Sequence, residues 1–495
     1  MSVDHLISPF RDKQTLLVLS NAIKKLASKL TKKLVIMEVC GGHTHSIMKY
    51  GLLDLMPNNL EFVHGPGCPV CVMPRARLDE AYELAAIKDS IVLSLGDMMR
   101  VPGSYGSLIQ AREKGLDARF LYSPMQALEI AKENPHKKVI YIAIGFETTT
   151  PMSASVLLSA KKEKLKNLFF HTNHILVPPS VSAILKDPAC QINALLAPSH
   201  VSVISGAQIY SPLVDRFKIP IIVSGFEPVD ILESVLMLIK QALNKEAKLE
   251  IQYKRAVSYE GNTKAQELVN ACMEVRENFE WRGLGNIKHS ALKLKEAFAS
   301  YDAEKVFKEH LSHKTSKENK ACKCGEILKG IAKPLDCSLF ATTCTPQNPI
   351  GSCMVSSEGG VRGVLSLQAC LSFKNCSKPL DCSLFATTCT PQNPIGSCMV
   401  SSQGGVRGVL SLQACLSFKN CSKPLDCSLF ATTCTPQNPI GSCMVSSQGG
   451  VRGVLSLQAR LSFRNCFLVK SLKPSQLTST LTGFLGGFSF LTTGF

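Results

Sequence analysis

No charge-free apolar run of about 20 residues occurs before the last segment of the chain, so no membrane span is expected in the body of the protein. A secretory leader is missing as well, because His5, Arg11 and Asp12 interrupt the opening apolar residues before a continuous apolar core can form. A cytoplasmic location is the expectation. Aromatic residues are scarce, at 6% with a single tryptophan, and no stripe of them alternates with the basic residues. That scarcity argues against nucleic acid as a partner despite a formal charge of +17. The surplus is also poorly placed for such a role. About half of it lies from Lys333 onward, and clusters such as Lys161, Lys162, Lys164 and Lys166 read as one solvated helix face.

Cysteine, by contrast, is abundant. Twenty-one cysteines would suggest a disulfide framework in a small secreted protein, but not in a 495-residue chain expected in a reducing compartment. Seven precede Lys333, and five of those are grouped as Cys40, Cys68 with Cys71, and Cys322 with Cys324. Grouped thiols there read as metal or redox chemistry, whereas Cys190 and Cys272 stand alone and read as small buried residues.

A chain this long exceeds one ordinary core, and two or three domains are expected. Residues 13–30 read as an amphipathic helix. From Leu34, short apolar runs alternate with helical stretches, which signals α/β architecture with parallel sheets and crossover helices. The expected strands are 34–39, 60–63, 90–95, 118–122, 139–144, 168–171, 194–196 and 219–223. The expected helices between them include 79–87, 107–114, 125–133, 150–164 and 229–243. Ile144-Gly-Phe-Glu147 and Ser224-Gly-Phe-Glu227 each end a strand about eighty residues apart, favouring two similar α/β domains. The expected partition is a helical segment at 1–33, α/β domains at 34–145 and 146–258, a cysteine-rich iron–sulfur domain at 259–360, and a repetitive tail at 361–495.

Ligands in open α/β sheets gather beyond the carboxyl ends of strands. Seven such ends carry polar or reactive groups, five of them beside glycine: Cys40-Gly-Gly-His-Thr-His45, Gly65-Pro-Gly-Cys-Pro-Val-Cys71, Gly96-Asp97, Gly145-Phe-Glu147, His171 to His174, Ser199-His200 and Gly225-Phe-Glu227. Cys40 is a soft ligand for iron, copper or zinc, and His43 and His45 follow it closely. Cys68 and Cys71 have the spacing of a dithiol/disulfide pair or a metal chelate, and no further ligands lie nearby in sequence to complete a structural zinc site. Cys322, Cys324, Cys337, Cys344 and Cys353 could hold a [4Fe–4S] cluster or zinc, which spacing alone does not separate. Glu147, Glu227 and Glu358 are polar rim candidates that could equally form structural ion pairs.

These residues resemble the HypD family of nickel–iron hydrogenase maturation proteins. The resemblance runs in order through Met37-Glu-Val-Cys-Gly-Gly-His-Thr-His45, His64-Gly-Pro-Gly-Cys-Pro-Val-Cys71, Gly96-Asp-Met-Met-Arg-Val-Pro-Gly103 and Gly145-Phe-Glu-Thr-Thr149. It continues through Ala197-Pro-Ser-His-Val-Ser202, Gly225-Phe-Glu-Pro228, Glu280-Trp-Arg-Gly-Leu-Gly285, Cys324-Gly-Glu-Ile-Leu328, Asp336-Cys-Ser-Leu-Phe340 and Met354-Val-Ser-Ser-Glu-Gly359, covering nearly all of residues 10–360. The resemblance implies two α/β domains and a third carrying a [4Fe–4S] cluster on Cys324, Cys337, Cys344 and Cys353, with Cys322 as competitor for a ligand place. It implies a complex with HypC, on which an iron bearing carbon monoxide and two cyanides is assembled. Cyanide would come from HypE, and the finished unit would pass to the hydrogenase large subunit. Cys40 would be the iron ligand, supported by His43, and Cys68 and Cys71 the redox pair. Such a protein is a metallocentre-assembly scaffold rather than a conventional turnover enzyme. Competing readings are a zinc-stabilised binding protein and a dithiol oxidoreductase acting on protein substrates.

After Gly359 the chain departs from the family. Lys-Pro-Leu-Asp-Cys recurs at Lys333, Lys378 and Lys423 with almost no divergence; Glu358 against Gln403 distinguishes the first two copies. Solenoid repeats drift on their surfaces, so near identity indicates a recent tandem duplication or an assembly error. The stretch from residue 475 is charge-free and rich in Gly, Thr and Ser, and disorder is expected there rather than a membrane span. Family members continue with Cys-Ala-Ala-Tyr-Tyr where this chain reads Val361-Arg-Gly-Val-Leu-Ser366. Our hypothesis is a frameshift near codon 360. It predicts GTG CGC GGC GTA CTA TC in the gene, which spells Cys-Ala-Ala-Tyr-Tyr one base later; other codons at 361–365 exclude it.

Overall fold

The computed structural model describes residues 7–96, 98–312, 319–346 and 348–355. Asp97, Glu358 and the repeats from 361 onward lie outside them. Among the described residues no helix is long and apolar enough to cross a membrane.

The alternation of apolar runs and helices resolves into two parallel sheets. The first has the order β2 (Leu60–His64), β1 (Leu34–Glu38), β7 (Ala194–Pro198), β8 (Ile221–Ser224), β9 (Leu249–Ile251). The second has the order β4 (Ala118–Leu121), β3 (Ser90–Leu95), β5 (Lys138–Gly145), β6 (Leu168–His174). Strands such as Leu34-Val-Ile-Met-Glu38 are buried along their whole length, as expected when helices or a second layer cover both faces of a parallel sheet. All eight strands expected from the sequence form. The short edge strand β9 and the antiparallel hairpin of β10 (Met273–Trp281) and β11 (Gly285–Leu294) were not expected.

The chain does not complete one sheet before starting the other. It lays down β1 and β2, crosses to build the whole second sheet, and returns to add β7, β8 and β9. The expected cut between residues 145 and 146 therefore falls inside the second sheet, between β5 and β6. Crossover connections permit this because a parallel strand needs only a long return, not an adjacent one in sequence. The side-chain alternation divides the core accordingly. Ile36, Leu196 and Ile222 pack with Ile23 of the helix Lys13–Ala27 and Leu232 and Ile239 of the helix Pro228–Leu243. The opposite face supplies Met37, Leu195 and Val223 to an apolar cluster that also contains Val92, Ile140 and Ile142 of the second sheet. One core thus belongs to both sheets.

A buried polar network ties the helix Arg75–Ala86 to the second sheet. Arg77 bonds Glu80 at 2.8 Å, Glu304 at 2.7 Å, the Asn173 side chain at 2.6 Å and the Thr172 carbonyl at 2.9 Å. His171 reaches the same Glu80 oxygen at 2.8 Å, and Arg276 of β10 grips Glu304. Burial raises the Glu80 pKa, but Arg77 and His171 outweigh it and bring it down to about 2. Replacing Arg77 by Ala takes the guanidinium from buried Glu80 and leaves partly buried Glu304 to Arg276, and the expected loss is about 3 kcal/mol in urea unfolding. A loss below about 1 kcal/mol, the range of an exposed ion pair, would show that the network relaxes into water.

Candidate functional site

Both sheets reverse their strand order once, between β1 and β7 in the first and between β3 and β5 in the second. Crevices open at such reversals, beyond the strands' carboxyl ends. Here the two reversals face one cleft of about 490 Å³. Its walls include Cys40 after β1, His200 after β7, Gly96 after β3 and Gly145 to Thr149 after β5, with Gly67, Cys68 and Phe226 completing the rim. All but one of the seven strand-end loops named from sequence contribute. The exception is His171 to His174, where β6 ends away from the reversal. His171 is spent on Glu80, and burial lowers the pKa of fully buried His174 to about 4.

Cys40 is the N-cap of the helix Gly41–Lys49, and its sulfur accepts the Gly42 amide at 3.3 Å. Amides aimed at a sulfur from a helix N-terminus suit an anionic ligand atom. The histidine facing it is not the one expected. His43 turns Nε2 toward the Gly225 carbonyl at 3.0 Å and the Ser224 carbonyl at 3.3 Å, leaving its buried Nδ1 without a partner. His200 instead places its ring nitrogens 3.8 and 3.9 Å from the Cys40 sulfur. Burial lowers both imidazole pKa values to about 4, so both rings are neutral near pH 7. Phe226 packs on both rings, with centroids 4.6 Å from His43 and 5.1 Å from His200. His45 is exposed.

The loop carrying the second thiol group is seated on Cys40. A Cβ on Gly67 would come within 2.6 Å of the Cys40 nitrogen, so only glycine allows this approach. Cys68 and Cys71 form a disulfide with Cα atoms 5.2 Å apart, both nearly buried. Beneath both loops, the buried Glu38 carboxylate accepts the Cys40 amide at 3.0 Å, the His64 ring at 2.6 Å and the Thr44 hydroxyl. Burial raises its pKa against these bonds.

The third group is only partly drawn together. Cys324 is hydrogen-bonded with Cys322 and Cys353. The first bond lowers its thiol pKa, the second together with burial raises it, and the net direction is upward. Cys337 turns toward the Ala321 carbonyl at 3.9 Å, and Cys344 accepts the Ile350 amide at 3.3 Å. None of the five is in a disulfide, and all but Cys322 are buried. Among the described residues, no three His, Cys, Asp or Glu side chains converge as a metal-holding group. Buried thiols are suitable donors for a metal or cluster, but only Cys322, Cys324 and Cys353 stand together, while Cys337 and Cys344 make backbone contacts instead. A residue the sequence did not single out connects this group to the dithiol. Arg282, in the β10–β11 turn, donates its amide to the Val72 carbonyl at 2.8 Å and its guanidinium to the Ile350 carbonyl at 2.8 Å.

The rim glutamates separate cleanly. Glu227 is paired with Arg11, with contacts of 2.5 and 2.8 Å. Among the described residues Glu147 has no ion pair: one oxygen accepts the Val177 amide at 2.9 Å and the other is buried without a partner. Burial raises its pKa to about 7 from an ordinary value of 4.5. A raised folded pKa means that the folded state holds the proton more tightly. The associated stability is complete below pH 4.5 and is lost as pH rises through 7. Glu147→Gln should therefore gain stability relative to wild type between pH 5 and 8, read from paired melting curves. A constant difference across that range would refute the assignment.

The HypD family model, described as hydrogenase formation hypA family, matches residues 14–367, and again 369–412 and 414–456. The chain is 47% identical over 357 residues to the hydrogenase maturation factor HypD2 of Bradyrhizobium diazoefficiens, covering 71% of this chain and 93% of that protein. It is 46% identical over 359 residues to the hydrogenase maturation factor HypD of Azotobacter vinelandii, covering 71% and 94%. To the hydrogenase maturation factor HypD of Escherichia coli it is 43% identical over 357 residues, covering 71% and 95%. With its cleft, its Cys40 and its dithiol on one rim, the chain belongs to the HypD family of hydrogenase maturation factors.

Proposed function

We propose that this maturation factor is the scaffold on which an iron carrying two cyanides and one carbon monoxide is assembled, in a complex with HypC. The observation that carries the reading is the meeting of both strand-order reversals at one cleft with Cys40 in its wall. Cys40 is the protein's thiolate to the iron, and a cysteine of HypC supplies the second sulfur. The cleft, at about 490 Å³, has room for both the small iron unit and a partner's segment. His200 and Phe226 shield the sulfur side, which favours a strong-field cyanide complex by excluding water. His43 braces Phe226 from behind rather than touching the sulfur. Cyanide arrives from HypE, and the finished unit passes to the hydrogenase large subunit.

The dithiol supplies electrons. Oxidation of Cys68 and Cys71 releases two electrons and two protons as the S–S bond forms; reduction reverses both. Cys324, Cys337, Cys344 and Cys353 would hold a [4Fe–4S] cluster, with Cys322 the competing ligand, and such a cluster exchanges single electrons when bound. Arg282 fixes the cysteine-rich segment against the dithiol loop. A protein-directed dithiol oxidoreductase is the second reading, favoured by the disulfide itself. It requires Cys40→Ala to leave activity intact.

Anaerobic co-purification with HypC followed by infrared spectroscopy tests the scaffold reading. Cyanide and carbonyl stretches are expected in the wild-type complex and should vanish in Cys40→Ala. Wild-type protein with intact cluster absorbance but no such bands would overturn it.

A further inference from the structure

Glu38 closes β1 and is fully buried, yet nothing in the proposed chemistry needs a carboxylate there. Its hydrogen bonds reach both reactive loops. One side-chain oxygen accepts the Cys40 amide, and the other accepts the Thr44 hydroxyl and the His64 ring. Its main-chain carbonyl accepts the Gly65 amide at 2.8 Å. Cys40 and Thr44 bracket the first turn of the Cys40 helix, whereas His64 and Gly65 begin the loop that ends in the disulfide. The loops also touch directly, with Gly67 against the Cys40 backbone and the Gly41 amide 3.5 Å from the Gly67 carbonyl.

We propose that Glu38 is a positioning residue through which the state of the Cys68–Cys71 pair sets the reactivity of Cys40. Reduction by an external dithiol breaks the S–S bond, forms two S–H groups and leaves the reductant as a disulfide. Residues 68 to 71 lose their covalent closure, and the loop from His64 is free to shift. His64 and the Cys40 amide share one fully buried carboxyl group, so movement at one strains the bond to the other. In a low-dielectric interior such hydrogen bonds are strong and costly to leave unmade, so a shift in one arm is felt by the other.

This proposal rests on the reading of Cys40 and the dithiol as the working centre, but its test requires neither iron nor HypC. The full chain is prepared anaerobically in disulfide and reduced forms, and the external dithiol is removed. Alkylation of Cys40 by iodoacetamide is then followed by peptide mass spectrometry. In wild type the Cys40 rate should differ about tenfold between the two forms, the scale of one buried hydrogen bond. In Glu38→Gln the amide nitrogen cannot accept, and the ratio should fall toward one; Glu38→Asp should restore part of it. A purely structural role would change both rates together and leave the ratio unmoved. If Glu38→Gln does not fold, His64→Phe, whose ring has no donor for the Glu38 oxygen, removes the dithiol-loop arm and should collapse the ratio in the same way. A wild-type ratio near one, or a folded Glu38→Gln or His64→Phe variant that keeps the wild-type ratio, overturns the proposal. Missing infrared bands in the HypC experiment would leave this result untouched, so the two failures are distinguishable.

Discussion

Parallel strands cannot be joined by tight turns; each must return through a crossover before the next strand begins. In this protein that constraint aligns the strands of each sheet, so all their carboxyl ends emerge on one side. It also lets the chain leave the first sheet after β2 and rejoin it at β7. Cys40 and His200 are 160 residues apart, and their contact exists because β1 and β7 are hydrogen-bonded neighbours. The cleft, the seating of the dithiol loop and the shared core all follow from this interleaving.

The polar groups beneath the site form two systems with different work to do. Arg77, Glu80, Glu304, His171 and Arg276 balance charge against charge in the interior and join helix, sheet and hairpin. Glu38 balances a buried carboxylate against an amide, a hydroxyl and an imidazole instead. The first arrangement is costly to break because a bare charge remains, whereas the second is directional and holds two loops in register. Glu147 belongs to neither. With one buried oxygen unpartnered, its pKa is raised by burial to about 7, so it holds a proton close to neutral pH.

Much of the fold was legible in the residues. Apolar runs such as Val139-Ile-Tyr-Ile-Ala-Ile144 leave little but a doubly covered strand, and all eight expected strands formed. The hairpin was not legible because its alternation is blurred by charged residues, as in Met273-Glu-Val-Arg-Glu-Asn-Phe-Glu-Trp281, and by a register shift near Arg276. The polar strand ends, five of them flanked by glycine, pointed to six of the loops that line the cleft. They could not rank the histidines within it, since proximity in sequence favoured His43, whereas the ring beside the sulfur is His200.

What the sequence alone determined was chemistry and periodicity: thiols in three groups, the parallel α/β pattern, and the likeness to one family. These depend on residue identity and local spacing, which a linear chain carries directly. Which strands become neighbours was decided only by tertiary structure, and with it which histidine faces Cys40, which glutamate is paired, and that Glu38 serves two loops at once. Those outcomes depend on contacts between residues far apart in the chain, where burial and hydrogen bonding choose among partners that local spacing leaves equivalent.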